Sequence, residues 1–235
     1  MQRVSGSPDP RFFDADGVRS YTEFSDAVAK YGDWASIRRM LDWGCGCGRV
    51  TRCFLRVHPE IEVHGCDIDA QAVAWCSENL PAGHFRATQP LPPTGYPDSH
   101  FPLVIGYSVF THLDAGLQHA WLEEIRRIVT PGGLFLASVN GHLVARFAFP
   151  PTSPAVPRPW YQRWRKSDPV NLTAAGFVDA GEDVALKGVA PAGYYRGVFQ
   201  SPEWTRREWS KHFRVLAILE GGMQNYQDLV ILQKV

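Results

Sequence analysis

The stretch that decides the fold reads Leu41-Asp42-Trp43-Gly44-Cys45-Gly46-Cys47-Gly48. Glycine recurs at every second position, between a predicted short strand at 38–43 and a helical pattern that carries Val50, Phe54 and Val57. A glycine has no Cβ atom, so repeated glycines at a strand-to-helix junction let a ligand press against the backbone. The stretch therefore predicts a β-turn-α unit that binds a bulky ligand; a tight turn needed only for packing is the alternative.

A regular alternation of predicted strands and helices follows this turn. Its order is strand 61–66, helix from Asp69, strand 84–86, strand 101–107, helix from Asp114, the turn Pro131-Gly132-Gly133 and strand 134–139. Strands separated by helices need crossover connections and therefore form a parallel sheet. Ligands of such a sheet bind at the carboxyl ends of its strands, where the glycine-rich stretch lies.

The C-terminal part predicts a helix and a hairpin. Ser201-Pro202-Glu203 combines a capping hydroxyl, a proline at the first helical position and an acid in the first turn, so we predict a helix from there to about His212. The apolar runs 213–219 and 229–232 predict two strands of a hairpin that is joined through Gly221-Gly222.

Two segments of the predicted single domain, residues 1–235, fall outside this alternation. Apolar residues share one helical face within about 21–31, which predicts a helix in an N-terminal cover of about residues 1–36. From about 141 to 198 prolines are dense and periodicity is lost, so we predict an insertion over the ligand-binding rim. Its aromatic and basic run at 160–166 is interpreted as an amphipathic lid, with recognition of an anionic ligand as the alternative.

The composition restricts the partners. Lys plus Arg and Asp plus Glu both number 24, and no long basic block is present, so we expect no nucleic acid as the main partner. No run approaches the roughly 20 apolar residues of a membrane span, and we expect a cytoplasmic protein without a membrane partner. The five cysteines suit free thiols. No metal is expected, because Cys45 and Cys47 lack the further ligands of a zinc site.

The position of Asp67 indicates which kind of ligand the glycine-rich stretch binds. It follows Gly46 by about twenty positions and ends the predicted second strand, where a carboxylate of nucleotide-binding α/β folds accepts hydrogen bonds from ribose hydroxyls. A dinucleotide-binding fold would show the spacing G-x-G-x-x-G, whereas the spacing here is G-x-G-x-G after an acid. A nicotinamide-dependent oxidoreductase is thus the weaker alternative.

These features together resemble the class I S-adenosylmethionine (SAM)-dependent methyltransferases. Members carry an acid-x-G-x-G-x-G turn, an acid that ends strand two, and a Pro-Gly-Gly turn before strand five. The stretches LDWGCGCGR, SVFTHL, LEEIRRIVTPGGLFL and QDLVIL are similar to a bacterial group that modifies sugars and natural products. The resemblance implies a doubly wound, mostly parallel, seven-stranded Rossmann-like sheet with an antiparallel C-terminal strand, and it places the insertion between strands five and six on the acceptor side.

The resemblance also implies a cofactor site. The methionine end of SAM would be held by Asp42 and by the turn backbone at Gly44, Cys45, Gly46 and Gly48. The ribose and adenine would contact Asp67 and Ile68, and the edge of the adenine would be bordered by Thr88 or Gln89. The region of the sulfonium would be lined by Tyr107 and Ser108. One position departs from the family, which usually has an acid after the Phe that opens strand four. Here Pro102 follows Phe101, and because proline lacks an N–H we predict that the strand begins at Leu103.

The reaction chemistry suggests acceptor-side candidates. A hydroxyl acceptor must lose a proton, and His112, just past strand four, is the candidate general base, with packing of the turn before Asp114 as the alternative. Five further residues are candidates for acceptor binding: Tyr194, Tyr195, Gln200, Asn225 and Gln227. For Asn225 a turn role is the alternative, for Gln227 a surface position, and for the two tyrosines closure of the insertion's own small core.

The sequence thus predicts methyl transfer from SAM to a small molecule, with S-adenosylhomocysteine as the second product. A hydroxyl acceptor such as a sugar, a phenol or a natural product is the leading hypothesis, and a small amine is the variant. A SAM-binding module without catalysis is the third hypothesis. The acceptor and the oligomeric state stay open at this stage.

Overall fold

A computed structural model describes residues 9–148, 172–183 and 188–235. Its helices are α1 (Pro10–Tyr31), α2 (Thr51–Val57), α3 (Ala70–Asn79), α4 (Ala115–Ile128), α5 (His142–Ala148), α6 (Leu172–Ala175) and α7 (Pro202–Trp209). Its strands are β1 (Arg39–Trp43), β2 (Glu62–Asp67), β3 (His84–Ala87), β4 (Phe101–Gly106), β5 (Val129–Val139), β6 (Phe177–Glu182), β7 (Arg196–Gln200), β8 (Arg214–Met223) and β9 (Gln227–Gln233). Single 3₁₀ turns lie at Trp34–Ser36 and Phe110–His112.

The main sheet has seven strands in the order β3-β2-β1-β4-β5-β9-β8. The pairs from β3 to β5 are parallel, and β9 runs antiparallel to both of its neighbours. This confirms the predicted mostly parallel sheet with its antiparallel C-terminal strand. The carboxyl ends of β1, β2 and β4 share one edge of the sheet, which we call the ligand rim.

Helices cover both faces of the sheet. On one face α4 and α7 enclose a core whose largest side chains include Trp43, Trp121 and Trp209. On the other face Phe24 of α1 and Phe54 of α2 are fully buried against strand residues. Because successive residues of a strand point to opposite faces, each central strand contributes to both cores. The rings of Trp43 and Trp121 lie 5.0 Å apart beside the ligand rim.

The prediction that strand four begins at Leu103 is wrong, because β4 includes Phe101 and Pro102. Phe101 pairs with Val129 and Leu103 pairs with Leu134, so Pro102 lies opposite a bulge formed by residues 130–133 of β5. A proline is tolerated in a strand at such an irregularity, where no ladder hydrogen bond needs its missing N–H. The Pro-Gly-Gly turn is this bulge, and it lies within β5.

The C-terminal hairpin also differs from its prediction. Met223 pairs with Gln227, so the turn lies at Gln224 and Asn225, whose φ angles are 63° and 53°. Gly221 and Gly222 lie inside β8 instead, where the register shifts. A distant contact fixes this turn: the backbone N–H of Gln224 donates to Glu23 of α1, with N···O distances of 2.8 and 2.9 Å.

The N-terminal helix is longer than predicted. It begins at Pro10 and is capped by Asp9, whose carboxylate accepts the backbone N–H of Arg11. The described part of the insertion contains α6 and a two-stranded antiparallel sheet of β6 and β7. The run at 160–166, interpreted as a lid, lies outside the described residues. Within the described ranges, every helix is too short or too polar to cross a membrane.

The three predicted helix starts are confirmed. Asp69 accepts the backbone N–H groups of Gln71 and Ala72 at the start of α3, and Asp114 accepts that of Leu117 at the start of α4. Ser201 caps α7 by accepting the backbone N–H of Trp204 at 3.1 Å. The last of these helices ends at Trp209, three residues before the predicted His212.

Candidate active site

The glycine-rich turn joins β1 to α2 at the ligand rim. Gly44, Gly46 and Gly48 have φ angles of 77°, 53° and 73°, a left-handed conformation that favours glycine. Packing also restricts two of them: an added Cβ would lie 2.3 Å from Val109 at Gly44 and 2.6 Å from Leu80 at Gly48. The turn therefore needs its glycines for its own conformation and packing as well as for any ligand.

Asp67 ends β2 and is fixed against this turn. Its Oδ2 accepts the backbone N–H of Gly46 at 2.8 Å, and its Oδ1 accepts that of Asp69 at 2.8 Å. Burial raises the pKa of Asp67, and these backbone donors partly offset the rise. A carboxylate offers about four acceptor positions, so two bonds hold it in place and leave it capacity to accept bonds from hydroxyl groups.

Asp42 lies below the turn and is 2% exposed. Its Oδ2 accepts the hydroxyl of Thr51 at 2.6 Å. Burial raises the pKa of Asp42 to about 6, although the Thr51 hydroxyl and the positive charge of Arg49 lower it. A buried carboxylate of this kind is stabilised in its charged form by a cation.

Cys45 of the turn and Cys76 of α3 are buried free thiols. The Sγ atoms of Cys45 and Cys76 lie 3.6 and 3.5 Å from the carbonyl oxygen of Gly46. The neighbouring Cys76 thiol and burial raise the pKa of Cys45, so it stays protonated and acts as a small packing group. Within the described ranges, no group of three or more His, Cys, Asp or Glu side chains could hold a metal ion.

A polar network connects the carboxyl ends of β4 and β5 with the amino end of β9. Ser108 has a φ of 59°, and its backbone N–H donates to Ser138 Oγ at 2.7 Å. Gln227 completes the network: its Nε2 donates to Ser108 Oγ at 3.0 Å, and its Oε1 accepts from Ser138 Oγ at 2.7 Å. The structure thus places Gln227 beside Ser108, buried at the rim.

His112 lies in the 3₁₀ turn after β4. Its Nδ1 is 2.9 Å from the carbonyl oxygen of Arg196 in β7. Because a carbonyl only accepts, Nδ1 carries the proton of the neutral ring and Nε2 carries the lone pair. The ring stacks on Tyr195 at a centroid distance of 3.8 Å and an angle of 16°. His112 and Tyr195, both predicted site residues, are therefore in contact.

The other predicted acceptor residues lie in varied surroundings. The Tyr194 hydroxyl accepts from Trp121 Nε1 at 3.3 Å, and burial raises the pKa of Tyr194. The amide of Gln200 is buried, with its Oε1 accepting from Gln118 and its Nε2 donating to Thr205, both at 2.8 Å. Asn225 is exposed in the hairpin turn.

The predicted adenine-side residues follow β2 and β3. Ile68 is half-buried directly after Asp67, and the backbone N–H of Thr88 donates to the Asp67 carbonyl at 2.9 Å. Gln89 is exposed. Thr88 is thus tied to the Asp67 backbone, and Gln89 lies further out.

Sequence reasoning missed Arg49, which follows Gly48 and is 8% exposed. Arg49 forms an ion pair with Asp16 of α1, and its guanidinium lies 4.7 Å from the centre of the Tyr107 ring. The available signal was a basic residue directly after the glycine-rich turn.

Part of the chain, including the glycine-rich turn, is similar to known methyltransferase sequences. Residues 41–135 match a family model described as "Methyltransferase domain". Ribosomal RNA small subunit methyltransferase C of Shewanella loihica is 31% identical over 112 residues, which cover 45% of this chain and 32% of that protein. The chain spans about a third or less of the length of the curated relatives it matches, between 14% and 32%.

Solved structures share the fold. The PH0226 protein of Pyrococcus horikoshii OT3 has a TM-score of 0.62 at 17% identity, with 91% of this chain and 89% of that chain covered. The glycopeptide N-methyltransferase MtfA complexed with SAM has a TM-score of 0.58 at 17% identity, with 93% of each chain covered. The sequence match places residues 41–135, which include the glycine-rich turn and Asp67, in a methyltransferase family, and the whole chain shares its fold with solved methyltransferases, one of them in complex with SAM.

Proposed function

We propose that this protein transfers the methyl group of SAM to a hydroxyl group of a small molecule. The observation that carries the proposal is the orientation of His112. The Arg196 carbonyl fixes its Nδ1 and Tyr195 stacks on its ring, so that Nε2 is the proton-accepting nitrogen. A base of this type serves a hydroxyl acceptor, which must lose a proton as it gains a methyl group.

The residues at the rim fit the cofactor. In this proposal Asp42, a buried carboxylate, binds the ammonium of the methionine part, and Asp67 accepts hydrogen bonds from the ribose hydroxyls. The backbone at Gly44, Cys45, Gly46 and Gly48 lines the cofactor, Ile68 with Thr88 or Gln89 borders the adenine, and Tyr107 and Ser108 lie near the sulfonium. The left-handed glycines and the fixed Asp67 carboxylate support these roles.

The protein's share of the chemistry is positioning and proton removal. When bound, SAM supplies a methyl group attached to a positively charged sulfur. The rest of the cofactor is then the leaving group, S-adenosylhomocysteine. With SAM bound, the site would orient the acceptor oxygen toward that methyl group, so that the carbon–oxygen bond forms as the carbon–sulfur bond breaks. His112 Nε2 takes the hydroxyl proton, so the product is a neutral methyl ether and a protonated imidazole that later loses its proton to water. Tyr194, Tyr195 and Gln227 contact the acceptor in this proposal.

Two observations favour other acceptors. MtfA, which shares the fold, is a glycopeptide N-methyltransferase, so an amine is one alternative acceptor. The Shewanella relative is a ribosomal RNA methyltransferase, so RNA is the other. The balance of 24 basic and 24 acidic residues opposes RNA, because RNA binding draws on an excess of positive charge.

An acceptor panel tests the proposal. The protein is incubated with SAM labelled in its methyl group and with sugars, phenols, amines or ribosomal RNA, and the labelled product is identified. We expect transfer to a hydroxyl compound. Transfer confined to amines or to RNA would overturn the hydroxyl assignment, and SAM binding without transfer to any acceptor would favour a module without catalysis. Binding of NAD in place of SAM would overturn the cofactor assignment as well.

The proposed role of Asp42 predicts a pH dependence of cofactor affinity. Binding an ammonium requires the charged carboxylate, whose pKa is about 6 in the free protein. Affinity for S-adenosylhomocysteine, which has the same methionine end, is therefore expected to fall below that pKa and to be about tenfold weaker at pH 5 than at pH 7.5. Titration calorimetry at several pH values measures this directly.

Asp42→Asn is the matched variant for this experiment. It is expected to bind more weakly at every pH and to lose the dependence, because the amide does not titrate in this range. The stability of the folded protein responds in the opposite sense. Folding raises the pKa of Asp42 from 3.8, so the protonated carboxyl group stabilises the folded state fully below that value, and this stabilisation is lost as the pH rises through about 6. A wild-type affinity that is constant from pH 5 to 7.5 would contradict the role of Asp42.

A further inference from the structure

Arg49 has a buried donor that the described chain does not use. Its Nη1 pairs with Asp16 of α1, and both side chains are buried. Its Nε is also buried, and no hydrogen-bond partner for it lies in the described part of the chain. A buried donor without a partner costs free energy, and most such groups in folded proteins are satisfied. Arg49 is therefore arranged to bind an acceptor that lies outside the described residues.

The surroundings of Arg49 indicate where that acceptor lies. Arg49 follows the last glycine of the turn, and its guanidinium stacks 4.7 Å from the centre of the Tyr107 ring, at the carboxyl end of β4. Its positive charge lowers the pKa of Asp42 against the larger effect of burial, so the two charges are close. Arg49 thus lies at the ligand rim, near the residue proposed to bind the ammonium of SAM.

The backbone of Arg49 is held as firmly as its side chain. Gly17 of α1 packs so closely that an added Cβ would lie 2.4 Å from the Arg49 carbonyl oxygen. With Asp16 on Nη1 and the Tyr107 ring beneath the guanidinium, the direction of the Nε–H is fixed. Binding then requires little reordering of this side chain.

We propose that Arg49 binds the α-carboxylate of SAM through Nε while Nη1 stays paired with Asp16. The methionine end of SAM carries an ammonium and a carboxylate on one carbon atom, so the two groups must be bound side by side. If Asp42 holds the ammonium, the neighbouring carboxylate needs a cation, and Arg49 is a buried cation at that place. The inference rests on the proposed function, because it assumes that SAM binds with its methionine end at Asp42.

A comparison of two ligands isolates this contact. Decarboxylated SAM lacks only the α-carboxylate, so the ratio of its Kd to that of SAM measures recognition of that group. We expect the wild-type protein to bind SAM about tenfold more tightly than decarboxylated SAM. In Arg49→Gln the ratio is expected to fall to about one, because affinity for SAM drops while affinity for decarboxylated SAM is retained.

Arg52 provides the matched control. It also pairs with an acid of α1, Asp14, and its guanidinium lies 4.9 Å from the centre of the Phe13 ring. Arg52→Gln therefore removes a comparable contact with α1, and we expect it to keep the wild-type ratio. If Arg49→Gln fails to fold, Arg49→Lys replaces it: the lysine keeps a cation for Asp16 but has no Nε–H fork, so its ratio is expected to fall below that of the wild type.

Each outcome has a defined meaning. A wild-type ratio that persists in the folded Arg49 variant would overturn the inference, and so would equal weakening of both ligands, which indicates a structural role. If the wild-type protein binds neither ligand, the proposed function fails and the inference fails with it. Tight binding of SAM with no discrimination against decarboxylated SAM overturns the inference alone.

Discussion

His112→Ala is expected to lower turnover with a hydroxyl acceptor by roughly a hundredfold or more and to leave SAM affinity unchanged. The Arg196 carbonyl and the Tyr195 ring fix the imidazole, and alanine removes the nitrogen that is proposed to take the proton. Steady-state kinetics measures the turnover, and calorimetry with SAM measures the affinity.

The acidity of the acceptor separates a base from a residue that only positions the acceptor. A phenol that is already ionised at the assay pH does not need a base, so the loss in His112→Ala is expected to shrink for it. His119, on α4, is the matched control because its Nδ1 pairs with His212 Nε2 at 2.9 Å, away from the rim. His119→Ala is expected to keep its turnover. An equal loss for ionised and neutral acceptors would show that His112 is not the base.

Asp67→Ala is expected to weaken SAM binding by at least tenfold, and by about a hundredfold if two ribose bonds contribute ~1.5 kcal/mol each. The carboxylate also fixes the glycine-rich turn through the backbone N–H of Gly46, so its loss disturbs the turn as well. Calorimetry with SAM measures the change, and circular dichroism confirms that the variant is folded.

Glu62 is the matched control for Asp67, because it lies at the other end of the same strand. It forms a half-buried ion pair with Arg39, 2.8 Å apart, and Glu62→Ala is expected to leave SAM affinity unchanged. Unchanged affinity in Asp67→Ala would refute the ribose role, and a loss of similar size in Glu62→Ala would show that the effect is not specific to Asp67.

Local patterns predicted the parts of the fold that depend on local chemistry. The alternation of strands and helices dictated a parallel sheet, and the capping residues Asp69, Asp114 and Ser201 marked helix starts that the structure reproduces. The glycines of the turn and the position of Asp67 at the end of β2 were visible for the same reason: each follows from a short stretch of sequence.

Features that depend on distant contacts were not predictable in this way. Pro102 is accommodated by a bulge in the neighbouring strand, and the hairpin turn at Gln224 is fixed by Glu23, which lies 201 positions away. Arg49 was missed because its significance comes from Asp16 in α1 and from Tyr107 after β4. In each case the partner is close only after folding.

The acceptor side shows the same limit. From the sequence alone, Gln200 is a polar residue before a helix and is not distinguishable from other polar residues at the rim. In the structure its amide pairs with that of Gln118, 82 positions earlier. The contact between His112 and Tyr195 depends on β7, whose position the sequence did not indicate. Part of the insertion lies outside the described residues, and the acceptor panel is the direct route to this half of the site.

The buried tryptophan pair beside the turn has a practical consequence. Trp43 directly precedes Gly44 and packs 5.0 Å from Trp121, whose indole N–H bonds to the Tyr194 hydroxyl. A ligand in the turn would therefore alter the electric field around a fluorophore that water does not reach. Intrinsic emission gives an optical signal for following cofactor binding in every variant that keeps these three rings, without any label.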